Sequence, residues 1–328
     1  MTYHIYFHRD FDGICSAAVF STFARLAISA STKFEFVAVD YEMKKTWADQ
    51  RLPKPSAIVD FLYHPDAEWW FDHHQTTFVR KDWELDYRAD ERHFWRTAYR
   101  SCPRLVIDSI PDTIIRRKLA RRFSECLDWC DVIDSASYSS PRQVIECREP
   151  ALQINSTLSQ DTSHQYLDFL IRSLQRFSLR KVAALAEVQT RCAKAKVWQE
   201  QAISCIRGVA VVDKHVAFID LAGHAELFHR YAVYYLWPDL KFQVALYKVG
   251  SVYKLTVGAN PWGKYEGPDL SALCEKFGGG GHPSVAGVMV VSRRQALRIA
   301  SEICRVLRKE TPFHQQLSFR HAIQVTLQ

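Results

Sequence analysis

Three apolar segments near the start of the chain each end at carboxylate or imidazole groups, and this repetition constrains the fold more than any other feature of the sequence. The first segment alternates apolar and polar residues from Tyr3 to Phe7, which predicts a strand, and it leads into His8, Asp10 and Asp12. Residues two apart in an extended segment share a face, so these three side chains can enter one crevice. Like charges so close repel one another unless a cation neutralises them, which indicates a bound metal ion. A polar turn in which Asp12 caps the next helix is the alternative.

The other two segments repeat this pattern. Residues 57–59 are apolar and lead into Asp60, and residues 69–71 lead into the triplet Asp72, His73 and His74. Ligands collect at the carboxyl ends of the strands in a parallel sheet, so we expect the three ends to converge. Mixed carboxylate and imidazole ligands suit Mn²⁺ or Mg²⁺ better than Zn²⁺, for which thiolate and histidine-rich sets are commoner.

The motifs at these strand ends resemble those of a known family. Residues 8–13, His-Arg-Asp-Phe-Asp-Gly, resemble the H-x-D-x-D-G motif of the DHH phosphoesterases, in which Asp60 matches the second motif and residues 72–74 match the triplet that names the family. Residues 277–282, Phe-Gly-Gly-Gly-Gly-His, followed by Ala-Gly at 286–287, resemble the signature of the DHH-associated C-terminal domain. The two motif sets stand in the family's order and are about two hundred residues apart.

The resemblance implies an α/β fold in which an N-terminal parallel-sheet domain is joined by a helical linker to a smaller α/β C-terminal domain. We expect a DHH catalytic domain at 1–178, a linker at 179–206, a DHH-associated substrate-binding domain at 207–310 and a tail at 311–328. The linker pattern is one long amphipathic helix, which could instead form a contact between two copies, so a homodimer stays open.

Secondary-structure patterns elsewhere give further expectations. Residues 90–99 and 112–130 predict helices, and the second half of the chain predicts short strands, one of them at 231–236. The glycine run at 278–281 predicts either a flexible loop or backbone N–H groups that bind a phosphate.

The resemblance also implies two divalent cations, most simply Mn²⁺ with Mg²⁺ as the alternative. The first would be held by His8, Asp10 and Asp60. The second would be held by Asp12, Asp60, His73 and Asp131, so that Asp60 bridges the two ions. Asp131 and Asp134 lie three apart on one predicted helix, and the sequence alone leaves open which of them is the ligand.

The remaining functional residues follow from the same resemblance. His74 would face the substrate phosphate as a hydrogen-bond donor or general acid, and Asp72 would orient the imidazoles. The expected substrate-binding residues of the second domain are Gly278, Gly279, Gly280, Gly281 and His282. They would hold the distal part of the substrate.

Composition limits the partners and the setting of the protein. The 328 residues carry a net charge of +7, which favours an anionic partner, although the cation-rich stretch at 116–122 is more typical of a solvated helix face than of a nucleic-acid patch. Nine cysteines without a C-x-x-C pair indicate reduced thiols, and no apolar run approaches the ~18 residues of a membrane span. We therefore expect a cytoplasmic enzyme with no membrane partner.

The expected function is hydrolysis of phosphodiester bonds in short oligonucleotides or nucleotide-type substrates by a water that two metal ions activate. Many nucleases of the family have an arginine ahead of the glycine run, but residues 256–264 contain none. Asn260, Trp262 and Lys264 could replace it, with Trp262 stacking on a base, or could simply form a turn. Hydrolysis of polyphosphate or another phosphoanhydride is the alternative activity, and a non-catalytic nucleic-acid-binding regulator is a third reading.

Overall fold

The computed structural model describes residues 1–213, 215–263 and 267–309, which form two compact units. Unit 1 contains Met1–Tyr138 and Cys147–Ala195, and unit 2 contains Ser139–Glu146 and the chain from Lys196 onward. The division falls within a long helix rather than at either end of the predicted linker. The predicted tail at 311–328 lies outside the described residues.

The elements are numbered along the chain. The strands are β1 (Thr2–His8), β2 (Lys33–Val39), β3 (Ser56–Val59), β4 (Trp69–Asp72), β5 (His93–Trp95), β6 (Ala210–Val212), β7 (Val216–Leu221), β8 (Phe242–Val249), β9 (Val252–Ala259), β10 (Gly280–His282) and β11 (Val285–Val290). The helices are α1 (Phe11–Ala27), α2 (Lys81–Asp86), α3 (Cys102–Asp108), α4 (Thr113–Asp134), α5 (Pro141–Glu146), α6 (Pro150–Thr157), α7 (His164–Arg176), α8 (Leu179–Ala183), α9 (Ala186–Val209), α10 (Ala232–Leu236), α11 (Leu270–Glu275) and α12 (Arg293–Lys309).

Unit 1 is built on a parallel sheet with the strand order β2-β1-β3-β4-β5. The central strand β1 pairs with β2 on one side and with β3 on the other. All four side chains of β3 are buried, as expected for a parallel strand that is covered on both faces. Because every strand runs the same way, their carboxyl ends lie along one edge of the sheet.

Helix α1 lies at the centre of unit 1. Thirteen of its 17 residues are buried, because the sheet covers one side of the helix while α3, α4 and α7 pack on its other sides. Its sequence is apolar almost all round, which is typical of a buried helix. The opposite face of the sheet is filled by large aromatic side chains, among them the fully buried Trp47 and Trp70. The two layers fix the strand ends from both sides.

Unit 2 is built on a six-stranded mixed sheet with the order β10-β11-β9-β8-β7-β6. Strands β7 and β8 are parallel, and the other neighbours are antiparallel. The amphipathic helix α12 packs its apolar side, including Leu297 and Ile303, into a core with strands β7, β8, β9 and β11. The glycine run contributes β10, so it is an edge strand rather than a loop.

Two predicted elements are wrong. Residues 93–95 form strand β5 instead of a helix, because Phe94 stacks on Phe71 of the neighbouring strand with ring centroids 5.2 Å apart. The predicted strand at 231–236 is helix α10, in which buried Tyr234 donates a hydrogen bond to the Gly258 carbonyl at 2.9 Å. Valine and tyrosine favour strands only when a sheet neighbour is present, and tertiary packing decides here. The predicted long helix at 179–206 is divided into α8 and α9.

The nine cysteines are free, and six of them are buried, which agrees with reduced core thiols. In the described part of the chain, no helix combines the length and apolar character needed to cross a membrane.

Candidate metal centre

Five secondary-structure elements bring carboxylates and imidazoles to the carboxyl edge of the unit 1 sheet. β1 ends at His8, Asp60 directly follows β3, and β4 ends at Asp72 before His73 and His74. Helix α1 begins just after Asp10 and carries Asp12 in its first turn, and α4 ends at Asp134. The candidate metal centre consists of His8, Asp10, Asp12, Asp60, His73, His74 and Asp134.

The start of α1 passes very close to the end of β1. A side chain at Gly13 would place its Cβ atom 1.9 Å from the His8 carbonyl oxygen, so only glycine fits there. The Gly13 N–H also donates a hydrogen bond to Asp10 Oδ1 at 2.9 Å, and the Asp10 side chain thereby caps the helix. This close crossing brings the first turn of α1 over the strand end, which places Asp12 beside Asp60.

Asp60 is the most constrained residue of the centre. Its side chain is 1% exposed and its backbone is in the left-handed region with φ of 58°, a conformation that is uncommon outside glycine, asparagine and aspartate. Neither carboxylate oxygen has a hydrogen-bond partner. Three imidazole nitrogens surround these oxygens: His73 Nε2 at 3.4 Å, His74 Nδ1 at 3.8 Å and His8 Nδ1 at 4.0 Å. Because unpaired buried carboxylates are costly, this position indicates a cation ligand.

Three overlapping groups of side chains have ligand atoms within 4.8 Å of one another. They are His8 with Asp10 and Asp60, Asp60 with His73 and His74, and Asp12 with His73 and Asp134. Asp60 and His73 each belong to two groups, which fits two neighbouring cations better than one. The donor set of carboxylate oxygens and imidazole nitrogens can bind a divalent cation.

The structure brings Asp134 into the centre and uses Asp131 elsewhere. Asp134 Oδ2 lies 3.6 Å from His73 Nε2. Asp131 accepts hydrogen bonds from the Ser101 hydroxyl at 2.5 Å and from Arg104 Nε at 2.7 Å. Both of its oxygens are therefore engaged, and none of the three ligand groups includes it. The two residues are three apart on the last turns of α4, but only Asp134, the last residue of the helix, reaches the strand ends.

The charges of the centre are not balanced by the protein alone. Burial raises the pKa of Asp60 well above its ordinary value, and the charges of Asp12 and Asp10 raise it further. Burial, followed by the charge of Asp12, raises the pKa of Asp134 to about 7. Burial lowers the pKa of His73, but the nearby carboxylates of Asp12 and Asp60 outweigh this and raise it to about 12. The cluster thus takes up protons in the absence of another cation.

Hydrogen bonds from outside the cluster fix the orientation of His73 and Asp12. His73 Nδ1 lies 3.1 Å from the Tyr99 carbonyl oxygen, which can only accept, so Nδ1 carries a proton and Nε2 faces the carboxylates. The backbone N–H of Cys102 donates to Asp12 Oδ2 at 2.9 Å. Such contacts commonly orient metal ligands.

Asp72 binds several donors around the triplet. Its carboxylate accepts a hydrogen bond from the Thr77 hydroxyl, another from the His73 backbone N–H at 2.9 Å, and a third from His74 Nδ1 at 2.8 Å. Because His74 binds Asp72 through Nδ1, its Nε2 atom is not bonded to this carboxylate. Burial lowers the pKa of His74, but Asp72 outweighs this and raises it, so the imidazole holds its proton more tightly.

Tyr41 is a site residue that the sequence patterns did not reveal. Its ring lies 5.2 Å from the His8 ring and 6.0 Å from the His74 ring, and the residue is 40% exposed at the rim of the centre. No motif contains this tyrosine, since it follows β2 in a short 3₁₀ turn. Its neighbour Asp40 caps that turn and forms an ion pair with Arg9, so the Asp40 charge is used outside the centre. Arg9 and Asp40 also line a cleft of about 480 Å³ along β2.

Two cations, Arg80 and Lys81, lie outside the ligand groups of the candidate metal centre. Arg80 forms a two-point ion pair with Asp82 at the start of α2, with N···O distances of 3.0 and 2.7 Å, and both side chains are about half exposed. Lys81 begins α2 and is exposed. Neither cation is near a ligand group of the centre in the contacts that the structure shows.

The four glycines of the run in unit 2 differ in whether the fold requires a glycine at each position. A Cβ atom at Gly279 would lie 2.2 Å from the Gly287 carbonyl oxygen, and one at Gly281 would lie 2.7 Å from the Ala286 Cα atom. These two glycines let β10 pack against β11. Gly278 has φ of 77° in the turn before the strand. Gly280 has neither a close neighbour nor a positive φ, so folding does not require a glycine there. His282 is exposed, with Nδ1 3.0 Å from the Ser284 hydroxyl.

The region ahead of the glycine run fits the turn interpretation. Asn260 donates two hydrogen bonds, to the Pro238 and Leu240 carbonyls, and accepts one from the Trp262 backbone N–H. The Trp262 ring packs against Tyr231 at 5.5 Å. Lys264 lies outside the described residues. Asn260 is thus accounted for by the fold of unit 2.

Comparison with solved structures finds the same fold along nearly the whole chain. A pGpG-specific phosphodiesterase, PggH from Vibrio cholerae, is 16% identical with a TM-score of 0.71, over 94% of this chain and 100% of that one. An exopolyphosphatase-related protein from Bacteroides fragilis is 13% identical with a TM-score of 0.54, over 94% and 92%. Exonuclease RecJ bound to manganese is 14% identical with a TM-score of 0.52, over 95% and 91%. No protein-family model and no curated protein matches the sequence. The likeness establishes a common fold.

Proposed function

We propose that this chain, which has the fold of the DHH-family phosphoesterases, is a divalent-metal-dependent phosphodiesterase that acts on short oligonucleotides or nucleotide-type substrates. The observation that carries the proposal is Asp60, a buried carboxylate with two unpaired oxygens, a left-handed backbone and three imidazoles around it. Nothing in the packing of unit 1 requires an acid there. A pair of cations accounts for both oxygens.

The donor groups divide between two sites. His8, Asp10 and Asp60 would hold one cation, and Asp12, Asp60, His73 and Asp134 would hold the other, with Mn²⁺ as the preferred ion. Bound divalent ions would neutralise charge on the phosphoryl oxygens and make a water molecule more acidic. The protein's own contribution is to hold these ligands rigidly on strand and helix ends, so that little reorganisation is needed when a phosphate binds.

His74 is suited to donate a proton to the substrate. Its Nδ1–H is held by Asp72, and its raised pKa keeps the ring protonated closer to neutral pH, so Nε2–H can donate to a phosphoryl or leaving-group oxygen. Tyr41 stands beside His74 and His8 with an exposed ring. We propose that it covers one side of the bound phosphate and limits access of water.

Unit 2 supplies binding in this proposal. Gly280 is the glycine that folding does not explain, and a backbone position with no side chain lets a phosphate approach closely. His282 is exposed on the same strand and adds a side-chain donor. Together they would hold an extended substrate.

The proposed substrate class is argued from two solved structures of similar fold, whose proteins are named for different substrates. The pGpG-specific phosphodiesterase is matched over its entire length, which favours a short nucleotide substrate. The similarity to the exopolyphosphatase-related protein makes a phosphoanhydride the alternative substrate. A panel of short RNA, short DNA, cyclic dinucleotides, linear dinucleotides, 3′-phosphoadenosine 5′-phosphate and polyphosphate, assayed with Mn²⁺ and with chelator, separates them. We expect the linear dinucleotide or short RNA to be cleaved fastest and chelator to abolish cleavage. Faster cleavage of polyphosphate would show that the substrate is a phosphoanhydride and not a nucleotide phosphodiester. Activity that persists in chelator would overturn the metal mechanism.

A further inference from the structure

Two segments of unit 1 contain only cationic charge. Residues 113–122, on α4, carry five Lys or Arg side chains and no carboxylate, and residues 172–181, on α7 and α8, carry four and no carboxylate. These nine account for the positive charge of the whole protein, because without them its formal charge would be −2 instead of +7. The charge is therefore concentrated rather than spread over the surface.

The fold brings the two segments together. Arg122 of α4 donates hydrogen bonds to the Leu174 carbonyl at 2.9 Å and the Phe177 carbonyl at 3.1 Å, where α7 ends. Arg25, in the last turn of α1, donates to Gln175 of α7 at 3.3 Å and adds a further cation. We call residues 113–122, residues 172–181 and Arg25 the basic surface.

Most of these charges are exposed and unneutralised. Among the described residues, Arg172 is the member of the basic surface that forms an ion pair, with Asp168 at 2.7 Å. Six of the ten cations of the basic surface are exposed: Arg117, Lys118, Arg121, Arg176, Arg180 and Lys181. Burial, followed by the charges of Arg172 and Arg176, lowers the pKa of Arg25, which reflects mutual repulsion. An arrangement of crowded cations is stabilised when an anion binds to it.

The basic surface is separate from the candidate metal centre. Arg122 and Asp134 lie on the same helix, and their separation of twelve positions corresponds to about 18 Å along its axis. Exposed Glu125 and Asp128 lie between them on α4. The surface therefore cannot hold the same phosphate that the metal centre would bind.

We propose that the basic surface binds the phosphate backbone of a single-stranded nucleic acid. Seven of the nine cations in the two segments are arginines, whose planar guanidinium groups bind phosphates by two hydrogen bonds and stack on bases. This binding goes beyond the proposed hydrolysis and does not require it.

The test compares two triple variants with the same change in charge. Lys118→Glu, Arg121→Glu and Arg176→Glu remove exposed cations of the basic surface, and Arg51→Glu, Lys54→Glu and Arg88→Glu remove exposed cations elsewhere in unit 1. A second basic-surface variant with glutamine at 118, 121 and 176 guards against effects of added negative charge, and thermal unfolding checks the fold of each. Fluorescence anisotropy measures binding of a 20-nucleotide single strand in chelator at 50 and 200 mM salt.

We expect the basic-surface variants to bind the strand at least tenfold more weakly and to lose about 2 from the slope of log affinity against log salt, as three lost phosphate contacts predict. The control should stay within twofold of the unchanged protein. Equal loss in both sets, or an unchanged salt slope, would overturn the proposal. Cosedimentation with vesicles of 70% phosphatidylcholine and 30% phosphatidylserine is the second arm, and a defect there with intact strand binding would overturn it in favour of a membrane.

Failure of this inference is distinguishable from failure of the proposed function. Hydrolysis of a linear dinucleotide with Mn²⁺ should be the same in the unchanged protein and in the basic-surface variants, because the dinucleotide would be held at the candidate metal centre, about 18 Å along α4 from Arg122. A basic-surface variant that loses dinucleotide cleavage together with strand binding would overturn the assignment of a separate surface.

Discussion

The candidate metal centre of unit 1 and the glycine run of unit 2 differ in how far the requirements of the fold explain their residues. In the candidate metal centre, the Asp60 carboxylate is buried and no hydrogen bond to either of its oxygens offsets the cost. In the glycine run, Gly279 and Gly281 are required by the packing of β10 on β11, and only Gly280 is left over. A motif that is expensive to fold therefore indicates a ligand more strongly than a motif that the fold itself needs.

The largest expected effect is at Asp60, where this comparison is sharpest. Asp60→Asn keeps the shape of the side chain and tolerates the left-handed backbone, but it removes the charge shared by both cation sites. We expect kcat/KM with Mn²⁺ to fall by about 10³-fold or more, which corresponds to ~4 kcal/mol in activation free energy. In chelator, the same variant should unfold at a higher temperature than the unchanged protein, because a buried unpaired carboxylate has been removed.

That pair of results separates function from folding. Steady-state kinetics and thermal unfolding in chelator measure the two quantities on the same preparation. A variant that loses both activity and metal-free stability would show that Asp60 supports the fold, and the contrast with the glycine run would disappear.

The next largest effect distinguishes Asp134 from Asp131. Asp134→Asn should weaken Mn²⁺ affinity by about ten- to a hundred-fold, since its oxygen reaches His73 and Asp12 in one ligand group. Asp131→Asn is the matched control on the same helix, and it should leave Mn²⁺ affinity within about threefold while losing the ion pair with Arg104. Titration of activity against Mn²⁺ concentration gives both values. The opposite order of the two variants would restore Asp131 as the ligand.

The sequence predicts nearly all the residues that the structure brings together in the candidate metal centre, for a physical reason. Each of these groups except Asp134 lies at the end of a strand or at the start of a helix, and the carboxyl ends of parallel strands lie at one edge of the sheet. Asp134 stayed undecided because the choice between two acids one turn apart depends on where α4 ends. Tyr41 stayed hidden because a 3₁₀ turn after an edge strand has no periodic pattern. Strand β5 and helix α10 were missed because their neighbours, not their own sequences, determine them.

The glycine run offers an internal comparison of its own. Gly280→Ala should leave the free energy of unfolding unchanged within about 0.5 kcal/mol, because nothing lies near its Cβ position, yet it should raise KM for a dinucleotide about tenfold by blocking the approach of phosphate. Gly281→Ala, one residue away, should destabilise the protein, since its Cβ atom would lie 2.7 Å from Ala286 Cα at φ of 149°. Urea unfolding and steady-state kinetics measure the two effects. An unchanged KM in Gly280→Ala would leave the glycine run with packing as its sole explanation.

The smallest expected effect is on the pH dependence of stability in the metal-free protein. One group in each unit contributes to it, and the two contributions have opposite signs. Asp134 in unit 1 has its pKa raised to about 7, above the ~4 of an unfolded chain, so the folded state holds the extra proton and this group makes the protein less stable as pH rises from about 4 to 7. His229 in unit 2 has its pKa lowered to about 4 by burial, below the ~6.5 of an unfolded chain. Here the unfolded state holds the extra proton, so this group makes the protein more stable as pH rises from about 4 to 6.5.

Contacts around His229 give its shift a structural cause. The Tyr231 backbone N–H donates to His229 Nδ1 at 3.2 Å, and protonation of that nitrogen would break the bond. Urea unfolding in chelator at pH 5.0 to 7.0 compares the unchanged protein with Asp134→Asn and His229→Asn, where asparagine can still accept from Tyr231. Removing Asp134 should make the slope of unfolding free energy against pH more positive, and removing His229 should make it less positive, each by well under the limit of ~1.4 kcal/mol per pH unit because both side chains retain some exposure. Slopes that move in the same direction would show that the acids of the metal centre are already neutralised within the protein, and the charge imbalance that indicates a cation would be lost.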